Sequence, residues 1–164
     1  MADGLRIIFE EPEFTIATFE NGLLWSFRGE TNLSRIERAL PVHQALAKKY
    51  PKGFSVMSIV SEAVPLAMPA DAREMGTRIT RDFQPHYCGI CEVIEGSGFR
   101  GSVARSVVAG VRLVARSSCP AKVFAEVESA SRWLGALMSP GAGAEKMGVD
   151  LAAAAQRVRF FSKP

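Results

Sequence analysis

Cys88 and Cys91 form a Cys-x-x-Cys pair, a spacing typical of thiol redox sites or, with a second pair, of structural zinc sites. A redox site needs its first cysteine at the amino terminus of a helix. Here the pair lies in a predicted strand, where residues three apart point to opposite faces. The sequence has no second pair. We therefore expect buried, unreactive cysteines, with no metal and no cofactor.

A second motif, Gly96-Ser97-Gly98-Phe99-Arg100-Gly101, has the pattern Gly-x-Gly-x-x-Gly between a predicted strand and a predicted helix. Glycines allow main-chain amides to approach an anion, and Arg100 could reach a phosphate. A dinucleotide site also needs an acidic residue about 20 positions later, whereas Glu126 lies 25 residues after Gly101. We favour a structural turn, and the alternative is an anion or nucleotide sensor that binds its ligand through Gly96, Ser97, Gly98 and Arg100.

Composition and charge narrow the classes of function further. The 164 residues are 48% hydrophobic and 23% charged, which indicates a folded domain, and they contain no nucleophile elbow, Walker loop or zinc-protease motif. The net charge of +3 divides into −3 for residues 1–99 and +6 for residues 100–164. The missing motifs lead us to expect no catalysis, and the dispersed basic residues of the second part lead us to expect no nucleic-acid binding. An anionic partner would meet the second part.

The start of the chain and its cysteine count bear on its location. The first residues lack a basic segment followed by an apolar run, and no apolar stretch reaches the roughly 18 residues that span a bilayer. Three cysteines are an odd number, which fits a reducing compartment. We therefore predict a cytoplasmic protein with no membrane span.

Hydrophobic patterning predicts the elements that position these motifs. Apolar and β-forming residues predict strands over residues 5–10, 14–19 and 23–28, with alternation in the second strand and Asn21-Gly22 as a tight turn. Helical spacing begins near residue 31 and should break at Pro41. Ser34 and Glu37 form a plausible capping box, and Thr31 or Asn32 is the alternative cap.

The remaining chain alternates between predicted strands and helices. Strands are predicted over residues 54–60, 87–94 and 121–125, and helices over residues 71–80, 102–114 and 127–137. An opening hairpin or meander followed by this alternation indicates the α/β class, with a mixed sheet and helices packed on it. We assign residues 1–138 to this domain, 139–147 to a linker and 148–164 to a helical tail.

Residues 123–134, with the sequence Val-Phe-Ala-Glu-Val-Glu-Ser-Ala-Ser-Arg-Trp-Leu, resemble the closing strand and helix of SpoIIAA-like proteins in the STAS-related superfamily. The resemblance implies a small, non-catalytic domain for signalling or protein interaction. It also implies a protein partner, with a homodimer through the opening strands as one form of it.

The same resemblance directs attention to one serine. STAS antagonists are phosphorylated on the serine of an Asp-x-Ser-Gly turn, and the matching region here is Ser58-Ile59-Val60-Ser61-Glu62-Ala63. Ser61 is therefore the phosphorylation candidate. The segment contains neither the aspartate nor the glycine of that turn, so the family's phosphorylation switch does not transfer directly to this chain.

Overall fold

The strands of the described chain form one sheet in the order in which they follow one another. The computed structural model describes residues 4–65, 67–98, 100–106 and 118–160. Within these ranges, six strands are present: β1 (Arg6–Glu11), β2 (Phe14–Phe19), β3 (Gly22–Phe27), β4 (Phe54–Val60), β5 (Tyr87–Ile94) and β6 (Ala121–Phe124).

Helices connect the later strands and close the chain. They are α1 (Leu33–Glu37), α2 (Ala39–Lys49), α3 (Ala70–Phe83), α4 (residues 100–106), α5 (Val127–Met138) and α6 (Ala144–Arg159), with a 3-10 turn over Gln84–His86. None of the described helices has the length and apolar character needed to cross a membrane.

The pairing directions divide the sheet into two parts. β1, β2 and β3 are antiparallel neighbours, and β3 to β6 run parallel to one another. The predicted α/β class, with a mixed sheet and an N-terminal antiparallel meander, is confirmed. Because the parallel strands lie side by side in chain order, the part of the sheet that the structure describes has no point at which the strand order reverses. Ligand crevices of open α/β sheets usually form at such points.

Side-chain alternation along the strands supplies two cores. In β2, Phe14 and Ile16 face one core and Ala17 and Phe19 face the other, as expected for period-two alternation. The first core packs under α1, α2 and α3, and the second under α5 and α6. Both faces of the sheet are therefore covered, which explains the nearly continuous apolar sequence of β4.

The first helical segment shows the predicted interruption and corrects its predicted cap. The helix ends at Glu37 and resumes at Ala39, so Pro41 lies in the first turn of α2, where its missing amide is tolerated. The cap is Asn32, whose side-chain oxygen accepts a hydrogen bond from the Arg35 amide at 3.0 Å. The capping box of Ser34 with Glu37 was wrong, because both residues lie inside α1.

Two predicted boundaries differ near the end of the chain. The helix predicted over residues 102–114 begins earlier than expected, because residues 100–106 form α4. Residues 107–114 of the prediction lie outside the described residues. The last helix begins at Ala144, so residues 144–147 of the predicted linker belong to α6. Leu151 and Val158 of this helix are fully buried in the core shared with α5. The predicted tail is thus packed on the sheet.

Candidate functional site

β1 is the edge of the sheet and exposes apolar side chains. It pairs with β2 on one side, and no other strand of the described chain lies along its outer side. Ile7 and Ile8 are 39% and 43% exposed, although isoleucine is normally among the most buried residues. Edge strands present unpaired main-chain donors and acceptors that another strand can bind. We call the outer side of Arg6–Glu11 the β1 edge.

A β-bulge interrupts this strand at Ile8. Ile7 pairs with Ala17 and Phe9 pairs with Ile16, so Ile8 is an extra residue opposite two consecutive partners. A bulge resets the alternation of side chains between the two faces of the sheet. The sequence pattern gave no sign of it, because residues 5–10 lack regular alternation.

Cationic side chains of α1 and its C-cap hold β1 in place. Arg38 lies over the ring of Phe9 at 3.8 Å from the centroid. Arg35, only 13% exposed, binds the carboxylates of Glu11 and Glu13 at 2.6 Å each. A surface that is fixed before binding loses less conformational entropy when a partner docks. β1 is therefore a pre-organised edge.

Arg105 of the same chain binds a main-chain carbonyl of the glycine-rich loop. Gly96 and Gly98 adopt φ angles of +131° and +73°, which favour glycine. Nη1 of Arg105 donates hydrogen bonds to the carbonyl oxygens of Ile94 and Gly96, both at 3.1 Å. These contacts favour a structural turn at Gly96, and residues 100 and 101 of the motif already belong to α4.

The cavity beside this loop is small and has a carboxylate side chain at its border. Gly96 and Arg100 line a cavity of about 20 Å³, while Ser97 and Gly98 are exposed. That volume is about that of one water-sized probe, whereas small-molecule pockets are typically about 300–1,000 Å³. The Glu62 side chain lies 3.5 Å from where a Cβ on Gly96 would stand, so a carboxylate borders the loop. The arrangement disfavours an anion.

A wider groove that the sequence did not indicate lies at the carboxyl end of β6. It has a volume of about 470 Å³ and is open to solvent. Its lining comes from β6, the first turn of α5 and α4: Arg105, Ser106, Val123, Phe124, Ala125, Glu126 and Ser129. The position at the carboxyl end of a parallel strand is the general signal that could have found it. Its charged groups, one arginine and one glutamate, form no catalytic constellation.

Ser61 begins the turn after β4. Its hydroxyl oxygen accepts a hydrogen bond from the Ala63 amide at 3.2 Å, and its own amide donates to the Phe27 carbonyl at 3.0 Å. The residue is half-buried. Phosphorylation of this serine stays a prediction, and the turn shows that the hydroxyl already has a structural role.

The cysteine pair lies in β5, as predicted, and none of the three described cysteines forms a disulfide bond. Cys91 and Cys119 are buried, as expected, whereas Cys88 is half-buried, which corrects the prediction for that residue. Pairing shifts register where β5 begins, and the Cys88 thiol contacts the Ser55 hydroxyl at 2.9 Å. Ser55 lies two residues from Met57 and therefore on the same sheet face as Cys91. The register shift thus breaks the simple alternation behind the prediction of opposite faces. No group of three metal-ligating side chains occurs among the described residues.

Comparisons with known proteins add a fold neighbour. No family model and no curated protein matches the sequence. The chain is similar to the solved structure of an uncharacterised protein of the DUF3478 family from Shewanella loihica PV-4, which is described as having a SpoIIAA-like fold. The two share 12% sequence identity with a TM-score of 0.49, over 79% of this chain and 91% of the other.

Proposed function

We propose that the chain is a non-catalytic protein-interaction module that binds an extended segment of a partner along the β1 edge. The observation that carries the proposal is the exposure of Ile7 and Ile8 on a strand whose outer side faces no other strand of the described chain. A strand added to such an edge gains main-chain hydrogen bonds along its length and apolar contacts at alternate side chains.

The anchoring of β1 supports this proposal. Arg35 and Arg38 fix the acidic and aromatic side chains of the strand, so the outer side is presented in one conformation. Edge strands that are not used for binding are usually protected by proline, by charged side chains or by a bulge. β1 has charged residues at its ends and a bulge at Ile8, but its centre is apolar and carries Ile7, Ile8 and Phe9. The signalling role implied by the family resemblance would then consist of binding a strand of the partner.

Site-specific photo-cross-linking in cells tests the proposal. A benzophenone amino acid replaces Ile8 on the β1 edge, and in the matched control it replaces Val149, which is 63% exposed on α6. We expect a discrete adduct of one mass from position 8 and no such adduct from position 149. Absence of an adduct at position 8, or the same adduct from both positions, would contradict the proposal.

A further inference from the structure

We infer that the strand bound at the β1 edge is β1 of a second copy of this chain, paired antiparallel about a two-fold axis. The inference rests on the proposed function and names the partner. Two-fold dimers are the most common symmetric assemblies, and their interface must be self-complementary. The sequence of β1, Arg-Ile-Ile-Phe-Glu-Glu, has this property.

The charges of β1 select the antiparallel direction. The strand begins with exposed Arg6 and ends with Glu10 and Glu11. Parallel pairing would set arginine beside arginine and glutamate beside glutamate, and like charges directly opposite destabilise a strand pair. Antiparallel pairing sets Arg6 of each copy beside the acidic end of the other. In this register Ile8 of each copy lies opposite Phe9 of the other at the axis, and Ile7 lies opposite Glu10.

The bulge at Ile8 places Arg6 and Glu11 on the same face of the sheet, as this pairing requires. Arg6 pairs with Thr18 and Glu11 pairs with Phe14. Thr18 and Phe14 are four residues apart in β2 and so point to the same face, which places Arg6 and Glu11 on that face too. In a regular strand, five residues of separation would put them on opposite faces. The bulge therefore aligns the two charges that a two-fold axis would bring together.

The carboxylate of Glu11 retains an acceptor for this contact. Arg35 binds its Oε1 atom, and a carboxylate has two oxygens with about four acceptor sites in all. Oε2 of Glu11 can therefore accept from Arg6 of the second copy while Arg35 keeps its place. Glu10, one residue earlier and half-buried, adds negative charge at the same end.

Sedimentation velocity over a concentration series tests the inference with the full chain. We expect concentration-dependent dimers of the unaltered protein. Arg6→Glu should raise the dimer dissociation constant about tenfold or more at low salt, because two attractive contacts become repulsive. Arg132→Glu makes the same charge change on an exposed residue of α5 and should leave the constant unchanged.

A charge-swap mixture gives the sharpest form of the test. Glu11→Lys should also weaken self-association. An equimolar mixture with Arg6→Glu should form heterodimers that recover part of the lost affinity, because both contacts between the copies are again between opposite charges, whereas the Arg35–Glu11 ion pair within one copy is lost. Circular dichroism and thermal unfolding verify that each variant is folded. Monomers of the unaltered protein at every concentration, or no recovery in the mixture, would overturn the inference. A cross-link from position 8 to a different protein would in that case leave the proposed function standing.

Discussion

Nη1 of Arg28 donates a hydrogen bond to the main-chain carbonyl oxygen of Val158 at 3.0 Å, across 130 residues of sequence. The same guanidinium donates to the carbonyl of Glu11 and the hydroxyl of Thr15, both at 2.7 Å. It thus joins the last turn of α6 to the hairpin that carries the β1 edge. Burial lowers the pKa of Arg28, and the nearby charges of Glu10 and Glu11 act in the opposite direction.

Replacement of Arg28 should destabilise both the last turn of α6 and the hairpin that carries β1. Arg28→Met keeps most of the apolar stem and removes every donor, and we expect a loss of about 2–4 kcal/mol in the free energy of unfolding. Arg28→Lys should recover only part of this stability, because an ammonium group keeps the charge and can donate hydrogen bonds but lacks the planar fork of the guanidinium. Urea unfolding measures the loss. The exposed control Arg132→Met should change stability by less than about 0.5 kcal/mol, and equal effects at both positions would contradict this role.

Two helical glycines should respond in opposite directions to alanine. A Cβ on Gly135 of α5 would lie 2.6 Å from the main-chain nitrogen of Gly148 in α6, so Gly135→Ala must push the helices apart. We expect the free energy of unfolding of Gly135→Ala to fall by about 1–3 kcal/mol. In α3, the nearest atom to a Cβ on Gly76 is Ile36 Cγ2 at 4.0 Å, and Gly76→Ala should stabilise the helix by about 0.5–1 kcal/mol. Thermal unfolding of both variants checks the pair, and destabilisation by both would contradict it.

His43 should make stability depend on mildly acidic pH. Its ring is buried among aromatic side chains, including Phe83 at 5.3 Å between centroids, and Nδ1–H donates to the Ala39 carbonyl at 2.8 Å. Burial lowers the pKa of His43 from 6.5 to about 4, with the hydrogen bond acting in the opposite direction.

The sign of that dependence follows from the two pKa values. Between pH 6.5 and 4 the unfolded chain binds the proton and the folded chain does not, so the free energy of unfolding falls as pH falls, by about 3 kcal/mol at most. The stabilisation is complete above pH 6.5. The free energy of unfolding of His43→Leu, measured by urea unfolding over this pH range, should depend less steeply on pH than that of the unaltered protein. Identical slopes would contradict the assignment.

Nucleotides and inorganic phosphate should not stabilise the protein through the glycine-rich loop. The cavity beside Gly96 is about 20 Å³, and Glu62 borders it. Thermal-shift measurements should give no rise in melting temperature with these compounds, for the unaltered protein and for Arg100→Ala alike. A rise that disappears in Arg100→Ala would instead support an anion sensor at this loop.

Local patterns predicted the strands well because both faces of the sheet are buried. The bounds of β2, β4 and β5 match the prediction residue for residue, since runs of β-branched and aromatic side chains define them. The first turn of α6 was missed because Gly143 and Gly148 lower helix propensity there. Only the close approach of Gly148 to Gly135 explains why glycine is favoured at that point.

The site depended on contacts that no local pattern encodes. Period-two alternation cannot show a bulge at Ile8, which exists only relative to the β2 register. The same holds for Arg28, whose partners come from both ends of the chain. The glycine motif was visible in the sequence, but the Arg105 contacts that turn its carbonyls inward required the tertiary structure.

Amide hydrogen exchange of residues 6–11 tests most directly whether the β1 edge pairs with another strand. A newly paired strand protects its outward amides, so exchange across these residues should slow as the protein concentration rises. The exposed turn at residues 140–142 should show no change, and Ile8→Lys should abolish the protection. Exchange of residues 6–11 that is the same at every concentration would contradict pairing of two copies through β1.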